Sequence, residues 1–115
     1  MTDNKRPGDI LPLTPAVFHI LLALAQSPKH GYAIMQDVET VSNGQVTMGP
    51  GTLYGSIKRM VQSDLIEEVP APPDEDDPRR RYYQLTAEGR HILRAEADRL
   101  ASLVNIAANR RVLGS

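Results

Sequence analysis

Pro50-Gly51-Thr52-Leu53-Tyr54, followed by Lys58-Arg59 and, beyond an acidic loop, by Arg79-Arg80-Arg81-Tyr82-Tyr83, is the stretch on which the reading of this chain turns. Pro50 suits the first turn of a helix, where a missing N–H costs nothing, and Gly49 is an acceptable cap before it. Leu53, Ile57, Met60 and Val61 then fall at the i, i+4, i+7, i+8 spacing of a buried stripe. At about 100° per residue, Gly51, Gly55, Lys58, Arg59 and Gln62 project from the opposite side, with Tyr54 on the border. Charged pairs on helices are usually solvated faces. Here two glycines strip side chains from the same face, which lets backbone approach an anion near a helix N-terminus, where free N–H groups and the dipole favour negative charge.

Outward from this helix, Leu65 to Val69 alternates weakly and predicts a strand. Residues 70–78 hold four prolines and the acidic block Asp74-Glu75-Asp76-Asp77, and predict a loop. Arg80 to Leu85 predicts the returning strand, with Tyr82, Tyr83 and Leu85 as β-favourable bulk. Strand alternation places Arg79 and Arg81 on one face and Arg80 on the other, so the three cannot share one role. At least one is expected on phosphate and one in a pair with the acidic block. A basic strand beside an acidic loop would also discourage binding to DNA held out of register.

Before the central helix, Thr14 and Pro15 supply a cap and a first-turn proline, and Val17, Ile20, Leu21 and Leu24 recur at helical spacing up to Ser27-Pro28. His30-Gly31-Tyr32 opens a second helix carrying Ile34, Met35, Val38 and Val41 inward, and Asn43-Gly44 ends it. Gln45 to Met48 predicts a short strand. After the hairpin, Thr86 can cap a last helix reaching about Asn109, along which Leu93, Ala97, Leu100, Val104 and Ala107 alternate four and three apart. That order predicts a mainly α fold with a small β-hairpin wing, a winged helix-turn-helix over 13–85 with a tail over 1–12 and an added helix over 86–111.

Bulk properties narrow the function. With 115 residues and 4% aromatics, the chain is expected to be one domain with an aliphatic core. Net charge is −1, but without the acidic block ten acids would face thirteen bases. No cysteine is present, and His19, His30 and His91 are scattered without partners at ligand spacing, so neither a metal site nor a catalytic base is expected. No cofactor is expected and enzyme chemistry has no residues behind it. His30, at a helix start, is within reach of a phosphate. No apolar run approaches a membrane span and the first residues lack the order of a secretion signal, so a cytoplasmic protein with no membrane partner is expected.

Leu21-Leu22-Ala23-Leu24, His30-Gly31-Tyr32 and Ile34, Gly51-Thr52-Leu53-Tyr54 with Ile57 to Met60, Leu65-Ile66, and Arg80-Arg81-Tyr82-Tyr83 with Leu85-Thr86, Gly89 and Arg90 together resemble the PadR family of bacterial transcriptional regulators. The likeness runs from Leu13 to about Arg111 and is to the short form with a single C-terminal helix. It implies a homodimer on an inverted-repeat DNA operator, usually a repressor and often released by a small-molecule effector. It places Thr52, Tyr54, Lys58 and Arg59 on the recognition helix, Tyr32 on the helix before it, and Arg79, Arg80 and Arg81 on the wing. Gly51 joins them as the point of close approach. Two features depart from the pattern: Gly49 stands where relatives often have a hydroxyl residue, and the wing loop is unusually acidic.

The row Leu93, Ala97, Leu100, Val104 and Ala107 is the expected dimerisation seam, since a helix of roughly 35 Å is long for a domain of this size. The competing expectation is a winged-helix module that binds protein partners without operator specificity. The acidic wing is the feature that favours it.

Overall fold

A computed structural model describes residues 11–113. Seven elements follow in order: α1 (Pro15–Ala23), β1 (Lys29–His30), α2 (Gly31–Val41), α3 (Pro50–Gln62), β2 (Ile66–Val69), β3 (Tyr82–Leu85) and α4 (Ala87–Asn109). The helices surround a core of Ile20, Leu21, Leu24, Ile34, Val38, Leu53, Ile57, Met60, Ile66 and Ile92. Each such side chain contributes about 1.5–3 kcal/mol by leaving water.

Local sequence starts the helices as expected. The Thr14 hydroxyl accepts from the Val17 N–H at 3.2 Å, with Pro15 at the first helical position. His30 caps α2, its Nδ1 accepting from the Ala33 N–H at 3.2 Å. Asn43 and Gly44 both take positive φ, 55° and 76°, in the turn after α2. Carbonyls at and just beyond the C-terminal end of α1 are met by side chains: Lys29 Nζ donates to Ala23 O at 2.8 Å and, from far along the chain, Arg90 Nη1 to Ala25 O at 3.1 Å.

The strands correct one expectation. Gln45 to Met48 is not a strand; Val46 and Met48 are half-buried against the core instead. The third strand is Lys29–His30, which pairs antiparallel with the far edge of the wing, Lys29 opposite Tyr83 and His30 opposite Tyr82. Two residues carry no alternation to read, and their partner lies some fifty positions away. On its other side β3 pairs with β2, Ile66 opposite Leu85 and Val69 opposite Tyr82, giving the order β1-β3-β2. The returning strand starts at Tyr82 and not at Arg80, so all three arginines lie in the connection that precedes it.

Two tertiary links position the ends. Most of the expected tail lies outside the described residues, but Leu11 and Leu13 pack against the core. The Leu13 N–H donates at 3.0 Å to Glu96, a carboxylate only 2% exposed, which also receives Arg99 Nε and Nη2 at 2.6 and 3.0 Å. Arg99 holds the Glu96 carboxyl below its usual range, the Leu13 N–H helps, and burial opposes. The Thr86 hydroxyl makes the second link. It donates to Asp64 O at 2.6 Å and accepts the Gly89 N–H at 2.9 Å as the cap of α4, while the Thr86 N–H reaches Leu65 O at 3.1 Å. Gly89 sits so close that a Cβ there would overlap the Leu65 carbonyl. The glycine that costs helix propensity is therefore demanded by packing.

Gly89→Ala is expected to lower unfolding free energy by about 1–3 kcal/mol because backbone would have to yield. Thr86→Val should cost about 1–2 kcal/mol through the lost cap, and Thr86→Ser much less. Urea denaturation measures both; a Gly89→Ala protein as stable as the parent would contradict the close approach.

Candidate nucleic-acid interface

The N-terminal turns of α2 and α3 and the wing connection enclose one open groove of about 560 Å³, lined by His30, Gly31, Tyr32, Tyr54, Asp77, Arg79, Arg80, Arg81 and Tyr83. Six residues expected at the site from different parts of the chain thus meet there: Tyr32, Tyr54, Arg79, Arg80, Arg81 and His30. Tyr32 and Tyr54 are both about half exposed, at 54% and 47%. Gly31 makes this possible, since a Cβ there would run into the Tyr54 ring. Tyr83 is buried under the wing, and its hydroxyl pKa is raised, first by that burial.

α3 presents the expected face, with adjustments. Leu53, Ser56, Ile57 and Met60 are buried, whereas Val61 is exposed beside Tyr54 and Lys58 and does not belong to the buried stripe. Gly51, Thr52, Lys58, Arg59 and Gln62 are exposed. Nothing lies within 4 Å of a Cβ built on Gly51, so internal packing does not demand glycine there. Gly55 is not bare in the same sense. Arg59 folds back along the helix, its Nη2 donating to Ser56 Oγ at 3.3 Å and its Nη1 standing 3.6 Å from a Cβ built on Gly55. Lys58 and Arg59 point to opposite margins of the exposed face, Lys58 toward Glu68 and Tyr83 of the wing.

α3 also differs at its start. Thr14, His30 and Thr86 cap the other three helices by side chain, while Gly49 offers none. The first-turn N–H groups of Gly51 and Thr52 consequently face outward with the positive end of the helix dipole.

The wing arginines are all paired within the hairpin, as expected of at least one of them. Arg79 Nε pairs with Asp77 at 3.2 Å, Arg80 Nη1 with Glu75 at 3.3 Å and Arg81 Nη1 with Glu68 at 3.0 Å. Glu75 is turned inward, accepting also from the Tyr82 hydroxyl and, at 2.9 Å, from the Asp77 N–H. The Tyr82 bond, the Asp77 N–H and Arg80 keep the Glu75 carboxyl below its usual range, and the same bond raises the Tyr82 hydroxyl. Asp77 is lowered chiefly by the Arg79 guanidinium. Four consecutive acids look equivalent in sequence, and nothing there singles out Glu75 as the organiser. Continuing the register would put Arg81 opposite Pro70, two positions from Glu68 and so on the same face, which hairpin alternation could have suggested. Among the described residues, Lys58 and Arg59 make no salt bridge.

The sequence model of the PadR-like transcriptional regulator family matches residues 20–95. The chain belongs to the PadR-like family. That family is one of transcriptional regulators, and the fold described above is a winged helix. A 37.1 kDa protein from transposon TN4556 of Streptomyces fradiae is 40% identical over 84 residues, which is 73% of this chain but only 22% of that protein. The chain therefore spans about a fifth of that relative. Among solved structures, a PadR family transcription regulator from Clostridium difficile R20291 superposes with a TM-score of 0.70 at 23% identity, covering 84% of this chain and 97% of that one. A PadR-like transcriptional regulator from Bacillus cereus gives 0.67 at 23% identity, covering 86% and 92%. These structural likenesses establish the fold. Among the described residues no helix is long and apolar enough to cross a membrane.

His30 gives the stability of the fold a pH dependence. Burial lowers its pKa from 6.5, Arg80 adds to this, and Glu75 opposes it. Its Nδ1 must stay unprotonated to accept the Ala33 N–H. The unfolded chain then takes up the proton first, so this contribution to stability is complete above about 6.5 and is lost as pH falls through the lowered folded value. Stability of the parent should decline over that window, and His30→Ser, which caps without titrating, should decline less. Urea titrations at several pH values check this; identical slopes would remove His30 as the cause.

Proposed function

We propose that the chain is a homodimeric transcriptional repressor that binds an inverted-repeat DNA operator. α3 enters the major groove, with Thr52, Tyr54, Lys58 and Arg59 reading base edges and phosphates, and the uncapped turn at Gly51 approaches the backbone. Tyr32 and the wing arginines Arg79, Arg80 and Arg81 flank it on the phosphate side. Release by a small-molecule effector belongs to the same reading, by analogy with the family alone. The observation that carries the proposal is the division of charge: the wing arginines are all matched by acids, whereas Lys58 and Arg59 stand on an exposed helix face without carboxylate partners. Unmatched cations on a helix whose first turn offers free N–H groups are what a phosphate backbone complements.

Dimerisation is supported by α4. The face bearing Leu93, Glu96, Ala97, Leu100, Leu103, Val104 and Ala107 is continuous, and only its first turns are covered. Leu93 is buried in the monomer's own core, 8% exposed, so it is unavailable as the start of a seam. Leu103 and Val104 further along are 50% and 54% exposed, with Ile106 beside them at 44%. The seam we propose therefore begins at Ala97 and takes in Leu103 together with Leu100, Val104 and Ala107. Paired through it, two domains would present two α3 helices for half-sites about 34–36 Å apart.

Arg59→Ala should weaken binding to a selected operator by about 1–3 kcal/mol if it reads a base, whereas Lys58→Ala, if it touches phosphate, should weaken all duplexes alike and flatten the salt dependence by about one unit. Gel shifts at two salt concentrations separate the cases, and no change in either variant would move recognition off α3. Leu103→Asp with Val104→Asp should yield monomers by light scattering and reduce operator affinity to the level of random DNA, because an unpaired charge is costly to bury. A variant that stays dimeric places the interface elsewhere. Protein capture with no sequence preference for DNA would favour the interaction-module reading.

A further inference from the structure

In each of the three wing ion pairs the acid is less exposed than the base. Side-chain exposures are 7% for Glu75 against 44% for Arg80, 31% for Asp77 against 89% for Arg79, and 49% for Glu68 against 69% for Arg81. The two loop acids are also fixed independently of their guanidinium partners. Glu75 is held by the Tyr82 hydroxyl and the Asp77 N–H, and Asp77 by the Arg79 N–H at 2.9 Å. If such a pair opens, the carboxylate remains and the arginine head swings out. Asp74 and Asp76, the alternate members of the block, are exposed and make no salt bridge among the described residues.

We propose that Glu75 and Asp77 are specificity-determining residues, internal stand-ins for DNA phosphate that hold Arg80 and Arg79 until the backbone is in register. The proposal rests on the DNA-binding reading of the α3 face and says how the wing takes part in it. A carboxylate and a phosphate offer a guanidinium the same chemistry, anionic oxygens spaced for a forked donor. A wing arginine that meets random DNA exchanges one anion for another, and the gain is small. When α3 is seated on its operator, the backbone is held beside the wing long enough for exchange to occur without further loss of freedom. The wing then adds affinity on the operator and little elsewhere. Glu68 and Arg81, the most open pair, would follow the same exchange less tightly.

The two halves of the acidic block provide a test at constant charge. Glu75→Gln/Asp77→Asn and Asp74→Asn/Asp76→Asn each remove two negative charges, and Gln at position 75 can still accept from Tyr82. Each protein is titrated against a random-sequence duplex and against the duplex that the parent enriches from a random pool. The first variant should bind random DNA about tenfold more tightly than the second, steepen its salt dependence by about two units, and lose selectivity. Equal effects of the two variants would mean that the loop acts only through its summed field, and would overturn the proposal. A second arm leaves the acids in place. Arg79→Gln/Arg80→Gln should lower operator affinity at least about tenfold more than random-DNA affinity and flatten the salt slope on the operator; an equal loss on both duplexes overturns the proposal even if the first variant misfolds. A parent that enriches no sequence and binds no duplex, with the first variant equally inert, overturns the DNA reading itself and the exchange with it.

Discussion

The Thr86 hydroxyl donates to the Asp64 carbonyl and accepts the Gly89 N–H, and through this one group the end of the wing, the turn after α3 and the start of α4 share a point. One hydrogen and two lone pairs suffice for both bonds. Asp64 takes a positive φ of 63° to turn the chain out of α3, and the Leu65 carbonyl that follows is closed by the Thr86 N–H and covered by Gly89. The hairpin register, Ile66 opposite Leu85, begins from that junction. So does the direction in which α4 crosses α1, where the buried Glu96 takes hold of Leu13. A wing attached loosely at this point could not be held against α2, and the groove between them would have no fixed width.

That fixed groove explains why the charges of the molecule divide as they do. β3 is pinned on both sides, by β2 and by the two residues of β1, and His30 caps α2 while its ring meets Tyr82 edge-on at 5.3 Å. Arginines entering a strand so constrained lie close to the loop before them and to β2, and Asp77, Glu75 and Glu68 match them. α3, by contrast, packs by one stripe, and on its outer face Lys58 and Arg59 make no salt bridge among the described residues. Surface ion pairs are weak, in general worth about 0–1 kcal/mol. Such pairs suit an interface that must open, and they contribute little to the fold.

α4 carries two different environments on one face. Its first turns bury Gly89, Ile92, Leu93 and Glu96 against the domain, and its last turns continue the same apolar line exposed among the described residues. A regular heptad-like spacing reads identically through both halves. Cover stops where α1 begins, since Ala25 after its end lies at Arg90 and Leu13 before its start lies at Glu96.

Sequence by itself determined the four helices and the wing hairpin, and it singled out α3 as the helix proposed to face DNA. Thr14-Pro15, Asn43-Gly44, Pro50 and Thr86 act on residues within one turn of themselves, and the stripe of Leu53, Ile57 and Met60 is periodic; local chemistry and periodicity survive without any fold. The Gly-Thr-Leu-Tyr and Arg-Tyr-Tyr pieces at their separation were legible for the same reason, being short and fixed in order. Tertiary structure alone decided that Lys29–His30 is a strand and Gln45–Met48 is not, since an edge of hydrogen bonds is needed and only β3 supplies one. It alone decided that Gly31 and Gly89 are glycines because Tyr54 and Leu65 come too close for a Cβ, and that Leu93 faces its own core. It also chose, among four adjacent acids, the two that hold arginines. In each case the determining neighbour lies far along the chain, and the energy of a contact depends on distance in space, which no spacing in sequence records.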